Sequence, residues 1–149
     1  MAIRRIGIIV TVGILALGAS TASAMATPAE GEAVRTDLAK GTTDAPISIV
    51  TEGQTTLLVQ SLLLKPGAHS GWHTHPGPEY SVITGGVVTL QTGPACGITD
   101  YATGQAVFIP AGVPHRVDND GAVDASVVVN YTIPDGAPPR ADSPDVCEK

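Results

Sequence analysis

Apolar and polar positions along this chain alternate in short runs, not at helical spacing. The longest β-rich run, Thr55 to Leu64, stops at Lys65-Pro66-Gly67, where proline withholds a ladder donor and glycine permits the turn. Next come Gly71 to His75, a Pro76-Gly77-Pro78 turn, and Glu79 to Thr84. Gly85-Gly86 is a hairpin-type break before Val87 to Gln91. Further strands fit Gln105 to Ile109, His115 to Asp118 and Ala125 to Ile133, with Asn119-Asp120-Gly121 as a turn, and Ile47 to Val50 is a shorter candidate. Beyond residue 24 no amphipathic stretch of 3.6-residue period exceeds two turns, and no internal repeat is present. Many short strands between Gly/Pro turns predict an all-β sandwich or barrel, and the pattern alone does not choose between them.

The same reading divides the chain. Residues 1–24 have the pattern of an export signal: Arg4 and Arg5 supply positive charge, Ile6 to Ala19 form an apolar stretch of 14 residues, and Ala22-Ser23-Ala24 offers a small-x-small cleavage site. The competing reading is an uncleaved anchor over Ile6 to Thr27, which Ser and Thr dilute in its second half. No cysteine near the cleavage site could carry lipid, and the arginine pair leaves the export route open. Residues 25–45 read as an N-terminal arm with a short strand or helical turn near Val34 to Ala39, residues 46–133 as the single domain, and residues 134–149 as an irregular Pro- and Asp-rich tail. The expected location is extracytoplasmic, with no stable membrane association once the signal is removed.

Composition adds to this picture. Of 149 residues 43% are hydrophobic, yet there are only one Phe, one Trp and three Tyr, so aliphatic side chains must fill the core of one modest domain. Without Arg4 and Arg5 the chain keeps 6 basic residues (8 less 2) against 14 acidic ones, a formal charge of −8 with no basic cluster. That surface repels phosphate backbones, so no nucleic-acid partner is expected. Cys96 and Cys147, an even count outside the cytoplasm, suggest a disulfide that would tie down the tail; two unrelated thiols are the alternative, and their spacing fits no CxxC motif.

Candidate chemistry lies in three of the four histidines and one glutamate. His73 and His75 are two apart, so on an extended strand both imidazoles face the same way. Glu79 opens the next strand after the Pro76-Gly77-Pro78 turn, and His115 starts another strand after Pro110-Ala111-Gly112-Val113-Pro114. Imidazoles with one carboxylate suit Mn, Fe, Co, Ni, Cu or Zn, and four protein ligands on an octahedral ion leave two positions for water, dioxygen or substrate. His69, in the loop after Gly67, reads as a solvated residue or one at a pocket mouth.

At these positions the sequence resembles the cupin family in both of its motifs. The first is Gly67-x5-His73-x-His75-x3-Glu79-x6-Gly86, the second Gly104-x5-Pro110-x-Gly112-x2-His115-x3-Asn119, and every fixed position is present. The resemblance implies a single-domain double-stranded β-helix (jelly-roll) barrel of the small, quercetinase-like kind. It makes His73, His75, Glu79 and His115 the ligands of one divalent transition metal, and Asn119 a stabiliser of a turn.

Strand parity sketches the pocket. Ser81 and Ile83 share the face of Glu79, Val113 and Val117 that of His115, while Tyr80 and Arg116 should point away. On the long strand either Gln60 or the set Leu57, Val59 and Leu63 faces inward. Near the end of the domain Val127, Val129, Tyr131 and Ile133 compete with Val128, Asn130 and Thr132. No inward arginine is evident, which counts against a small dicarboxylate and favours an apolar or aromatic molecule. The family analogy then suggests a metal-dependent enzyme such as a dioxygenase, with Glu79 also acting as a base. The alternatives are a non-catalytic extracytoplasmic binder of a small molecule or of the ion, and metal-dependent dismutation or decarboxylation. A homodimer is left open.

Overall fold

A computed structural model describes Gly31 and residues 33–147, so the signal-like segment lies outside the described residues. Residues 36–149 form one compact unit; of the other, residues 1–35, only Gly31 and 33–35 are described. No helix occurs among the described residues.

Nine strands follow the alternating runs: β1 (Thr55–Leu64), β2 (His73–Thr74), β3 (Glu79–Gly85), β4 (Val87–Thr92), β5 (Gly97–Ala102), β6 (Ala106–Ile109), β7 (His115–Asp118), β8 (Ala125–Pro134) and β9 (Ala141–Asp142). They make two antiparallel sheets, ordered β1-β8-β3-β6 and β5-β4-β7-β2-β9. The sheets stack face to face as a jelly roll. Leu64, Ile83, Val127, Val129 and Ile133 of the first sheet pack with Val88 of the second in a buried cluster. Each such side chain contributes on the order of 1.5–3 kcal/mol of transfer free energy.

Most predicted strands match within two residues. Ile47 to Val50 does not form a strand and stays exposed, as does Val34 to Ala39 for all but one half-buried residue, and neither segment is regular. Strand β5, which the pattern did not single out, is an almost wholly exposed edge held by six register pairs with β4. On β1 the exposed apolar positions are Leu57, Val59 and Leu63, so Leu58, Leu62 and Leu64 turn to the core, and exposed Gln60 lines the cavity.

Two loop devices hold the frame. Asn119 is 1% exposed, and its Nδ2 donates to the carbonyls of Leu64 and Val123 at 2.8 Å each while its Oδ1 accepts from Gly121 N. At Gly86 the backbone has φ +70°, and a Cβ would meet the Asp124 carbonyl oxygen at 2.6 Å, so the β3–β4 hairpin requires glycine.

The tail is docked on the second sheet. Its β9 pairs with β2, Ser143 N donates to the Trp72 carbonyl, and Cys147 is bonded to Cys96 across 51 residues. A loop of that length contributes about 4 kcal/mol on the chain-entropy account. Reduction, or Cys96→Ala with Cys147→Ala, is therefore expected to lower the unfolding free energy by about that amount. Urea unfolding with and without reductant measures it, and an unchanged midpoint would mean the tail is held without the bridge.

Candidate metal centre

Three short segments deliver the four side chains. His73 lies on β2 directly opposite His115 on β7, so the register of the five-stranded sheet sets two rings side by side. His75 follows two residues later, and Glu79 begins β3 in the facing sheet, in register with Tyr131 and Ile109. What brings the sheets together here is the Pro76-Gly77-Pro78 turn. A Cβ on Gly77 would overlap the Thr132 carbonyl oxygen and lie 2.8 Å from its carbon, so the turn rests directly on β8. Thr132 N donates to the Pro78 carbonyl at 3.1 Å. Gly77→Ala is expected to push the turn off β8, costing about 3 kcal/mol by overpacking and displacing Glu79 from the rings. Urea unfolding and a metal titration of the variant test this, and wild-type values for both would remove the turn's role.

All four residues are buried, and one donor atom from each lies within 4.8 Å of the others. The ring centroids are 4.2 Å apart for His73–His115, 4.8 Å for His73–His75 and 5.0 Å for His75–His115. Donors bound to one ion at about 2.1 Å stand up to about 4.3 Å apart, so only a few tenths of an ångström of adjustment is needed.

The hydrogen bonds fix which nitrogen is free. His73 Nδ1 is 2.9 Å from the Gly71 carbonyl, His75 Nδ1 2.6 Å from that of Pro139, and His115 Nδ1 2.9 Å from that of Val113. A carbonyl only accepts, so each Nδ1 carries the proton and each Nε2 presents a lone pair. Nε2 of His75 and of His115 are buried without a hydrogen-bond partner, although they stand 2.9 and 3.5 Å from Glu79 Oε2. Lone pairs facing a carboxylate in a water-poor site repel each other unless a cation lies between them. The group can hold a metal, and its outer hydrogen bonds aim the rings as such sites require.

Charge states agree. Burial, joined by the neighbouring rings and the Arg140 guanidinium, outweighs the Gly71 carbonyl and lowers His73 to about 4, so its imidazole is neutral at neutral pH. Burial raises Glu79, but the hydrogen bonds that His115 and His75 donate once acid has put a proton on Nε2, with that of the Ser81 hydroxyl at 2.6 Å, outweigh it and hold the carboxyl at about 2. Burial, reinforced by Glu79, raises the Tyr131 phenol well above its usual value. In both groups the native state binds protons less readily than the unfolded chain, so stability rises with pH. For the metal-free protein the His73 contribution is complete above pH 6.5 and is lost as pH falls to about 4; that of Glu79 is complete above pH 4.5 and is lost towards about 2. Urea midpoints of metal-free protein should therefore fall from pH 7 to 5 and again below 4, with His73→Ala flattening the upper part; a wild-type midpoint level across both ranges would contradict these environments.

The site opens into a cavity of about 510 Å³, within the usual range for small-molecule sites. Leu62, Leu64, Val117, Val129 and Tyr131 form its apolar wall, and Gln60, His69 and Ser70 add polar groups. Tyr131 packs at a tilt against His75, with ring centroids 4.7 Å apart, whereas Asn130 faces away and donates to the Tyr80 carbonyl. His69 is exposed at the mouth. The structure corrects the sequence reading of the pocket lining. Arg140 lines this cavity, so an inward arginine is present. It was hidden because the tail shows no strand pattern, as was Pro139, whose carbonyl orients His75; the even cysteine count, with Cys147 in the tail, was the only sign that the tail folds back.

The family model described as Cupin domain matches residues 60–131. No curated protein matches the sequence. Among solved structures, the chain is similar to the DMSP lyase DddQ from Ruegeria pomeroyi DSS-3, at 20% identity and TM-score 0.53, over 62% of this chain and 45% of that one. It is similar to the oxalate decarboxylase of Lactobacillus farciminis at 16% identity and TM-score 0.52, over 58% and 26%. For the oxalate decarboxylase of Bacillus subtilis, whose Mn(II) centres have been characterised, the figures are 20% and 0.51, over 58% and 24%. The chain spans less than half the length of these structures.

Proposed function

The chain is a cupin, and on that premise we propose that it is an extracytoplasmic metal-dependent enzyme of dioxygenase type acting on an apolar or aromatic small molecule. One observation carries the reading: buried lone pairs of His75 and His115 confront the Glu79 carboxylate with nothing of the protein to reconcile them. His73, His75, Glu79 and His115 would hold one divalent transition metal. Mn, Fe, Ni, Cu, Co and Zn are the candidates, and manganese gains weight from the similar Bacillus subtilis fold. The bound ion would supply Lewis acidity and a redox-active or polarising centre at the cavity floor.

The chain's own groups do the rest. The backbone carbonyls of Gly71, Val113 and Pro139 keep the three rings neutral and aimed. Leu62, Leu64, Val117 and Val129 exclude water from the substrate's apolar part. Glu79, the one carboxylate in the wall, serves first as an anionic ligand and second as the acceptor of a substrate hydroxyl proton. The Cys96–Cys147 bond agrees with an oxidising compartment, as the export-like N-terminus requires.

Oxygen uptake by the purified, metal-loaded chain with flavonol and catechol substrates tests the proposal. Turnover with at least one of the candidate metals is expected. Stoichiometric metal without turnover under any of Mn, Fe, Ni, Co or Cu would replace it with non-catalytic capture of a small ligand.

A further inference from the structure

Among the residues lining the cavity, Arg140 is the one permanent cation. It arrives on the docked tail between Pro139, whose carbonyl accepts from His75, and β9, which pairs with β2. Its Nη2 donates to the Ser70 carbonyl at 2.8 Å, and Nη2 and Nε both contact Asp142 Oδ1, at 2.9 and 3.1 Å. Nη1 has no protein partner among the described residues. The Asp142 side chain is 87% exposed, so water screens that pair, which steers the guanidinium more than it neutralises it. A fixed guanidinium with an unused edge is a ready partner for an oxyanion, and its ordering cost is already met by the fold.

Resting on the metal-dependent reading above, we propose that Arg140 determines specificity: the molecule bound in the cavity has an apolar or aromatic body, a metal-binding end, and a carboxylate that docks on the free edge of Arg140. The apolar wall between the histidines and the tail suits such a body, and no lining carboxylate other than Glu79 opposes an acid. An uncharged molecule of the same shape would leave the arginine edge unused.

Matched probes with one chelating head separate these cases: catechol against 3,4-dihydroxybenzoate, and 4-methylcatechol against the longer 3-(3,4-dihydroxyphenyl)propanoate. Binding to the metal-loaded full chain is followed by the chelate's absorption change. At least one acid is expected to bind about tenfold or more tightly than its uncharged counterpart, as a charge-assisted bond allows. Arg140→Gln should erase that preference and Arg140→Lys restore part of it, with metal content confirming that both variants are folded. Equal affinities within both pairs in the wild type, a comparison that needs no variant, overturn the assignment and leave the metal reading standing; so does a preference that survives in Arg140→Gln. A wild type that takes up no metal overturns the metal reading, and this assignment with it.

Discussion

Replacing His115 with alanine is expected to remove most of the rise in melting temperature that added metal produces, while the metal-free protein unfolds close to where wild type does. His115 is fully buried, at 0% exposure, opposite His73 in the sheet. Removing a buried ring leaves a cavity, but this ring also keeps an unsatisfied Nε2 away from water. The first effect costs a few kcal/mol and the second returns about 1–3, so the metal-free change should stay within about 2 kcal/mol. Metal at a thousand times its dissociation constant stabilises a native site by about 4 kcal/mol, and that whole increment depends on the ligand set. Affinity should fall by at least about 100-fold, the upper end of what loss of an outer-shell partner alone causes. Thermal unfolding with and without Mn, Ni, Cu and Zn measures both parts. A variant stabilised by metal as much as wild type would exclude His115 from the site.

Glu79→Gln is expected to have the opposite signature: a metal-free protein at least as stable as wild type that no longer binds metal tightly. The carboxylate Oε2 stands 2.9 Å from His75 Nε2 and 3.5 Å from His115 Nε2, and without a cation these groups meet with like polarity. A glutamine amide in the same place offers N–H donors to those lone pairs, and its carbonyl still accepts from Ser81. The exchange turns an unmet pair of acceptors into hydrogen bonds worth about 1 kcal/mol each. In acid, where those nitrogens carry protons and donate to the carboxylate, the glutamine has no charge to lose, so the loss of stability below pH 4.5 should shrink. Such a gain in stability at the cost of function marks residues kept for chemistry. Metal-free Glu79→Gln less stable than wild type by more than about 2 kcal/mol, beyond what a pair of such hydrogen bonds could offset, would mean the wild-type carboxylate is satisfied by the protein itself.

The sequence made the site legible because its information is local. Residues two apart on a strand share a face, and Pro76 to Pro78 and Pro110 to Pro114 turn the chain just before Glu79 and His115. Parity also picked out Ser81 and Ile83 beside Glu79, and Val127, Val129, Tyr131 and Ile133 as one of two sets on β8; the structure buries that set. On β1 the same rule could not decide, since Leu57, Val59 and Leu63 alternate with Leu58, Leu62 and Leu64 and both faces are apolar. There the partner sheet, not the strand, makes the choice. The edge strand β5 was missed because Gly97 to Ala102 buries almost nothing. The tail was missed for a further reason. Pro139 reaches His75 across 64 residues by a backbone carbonyl, which has no side-chain identity to read. The pocket's one arginine came with it.

The most direct measurement is X-ray absorption on the full chain loaded with one equivalent of metal, which counts imidazoles around the ion. Three imidazole nitrogens and a carboxylate oxygen at one ion per chain are the expected result, with His73→Ala, His75→Ala and His115→Ala each removing one. An ion surrounded by oxygen alone, or a ring count unchanged by all three substitutions, would contradict the account.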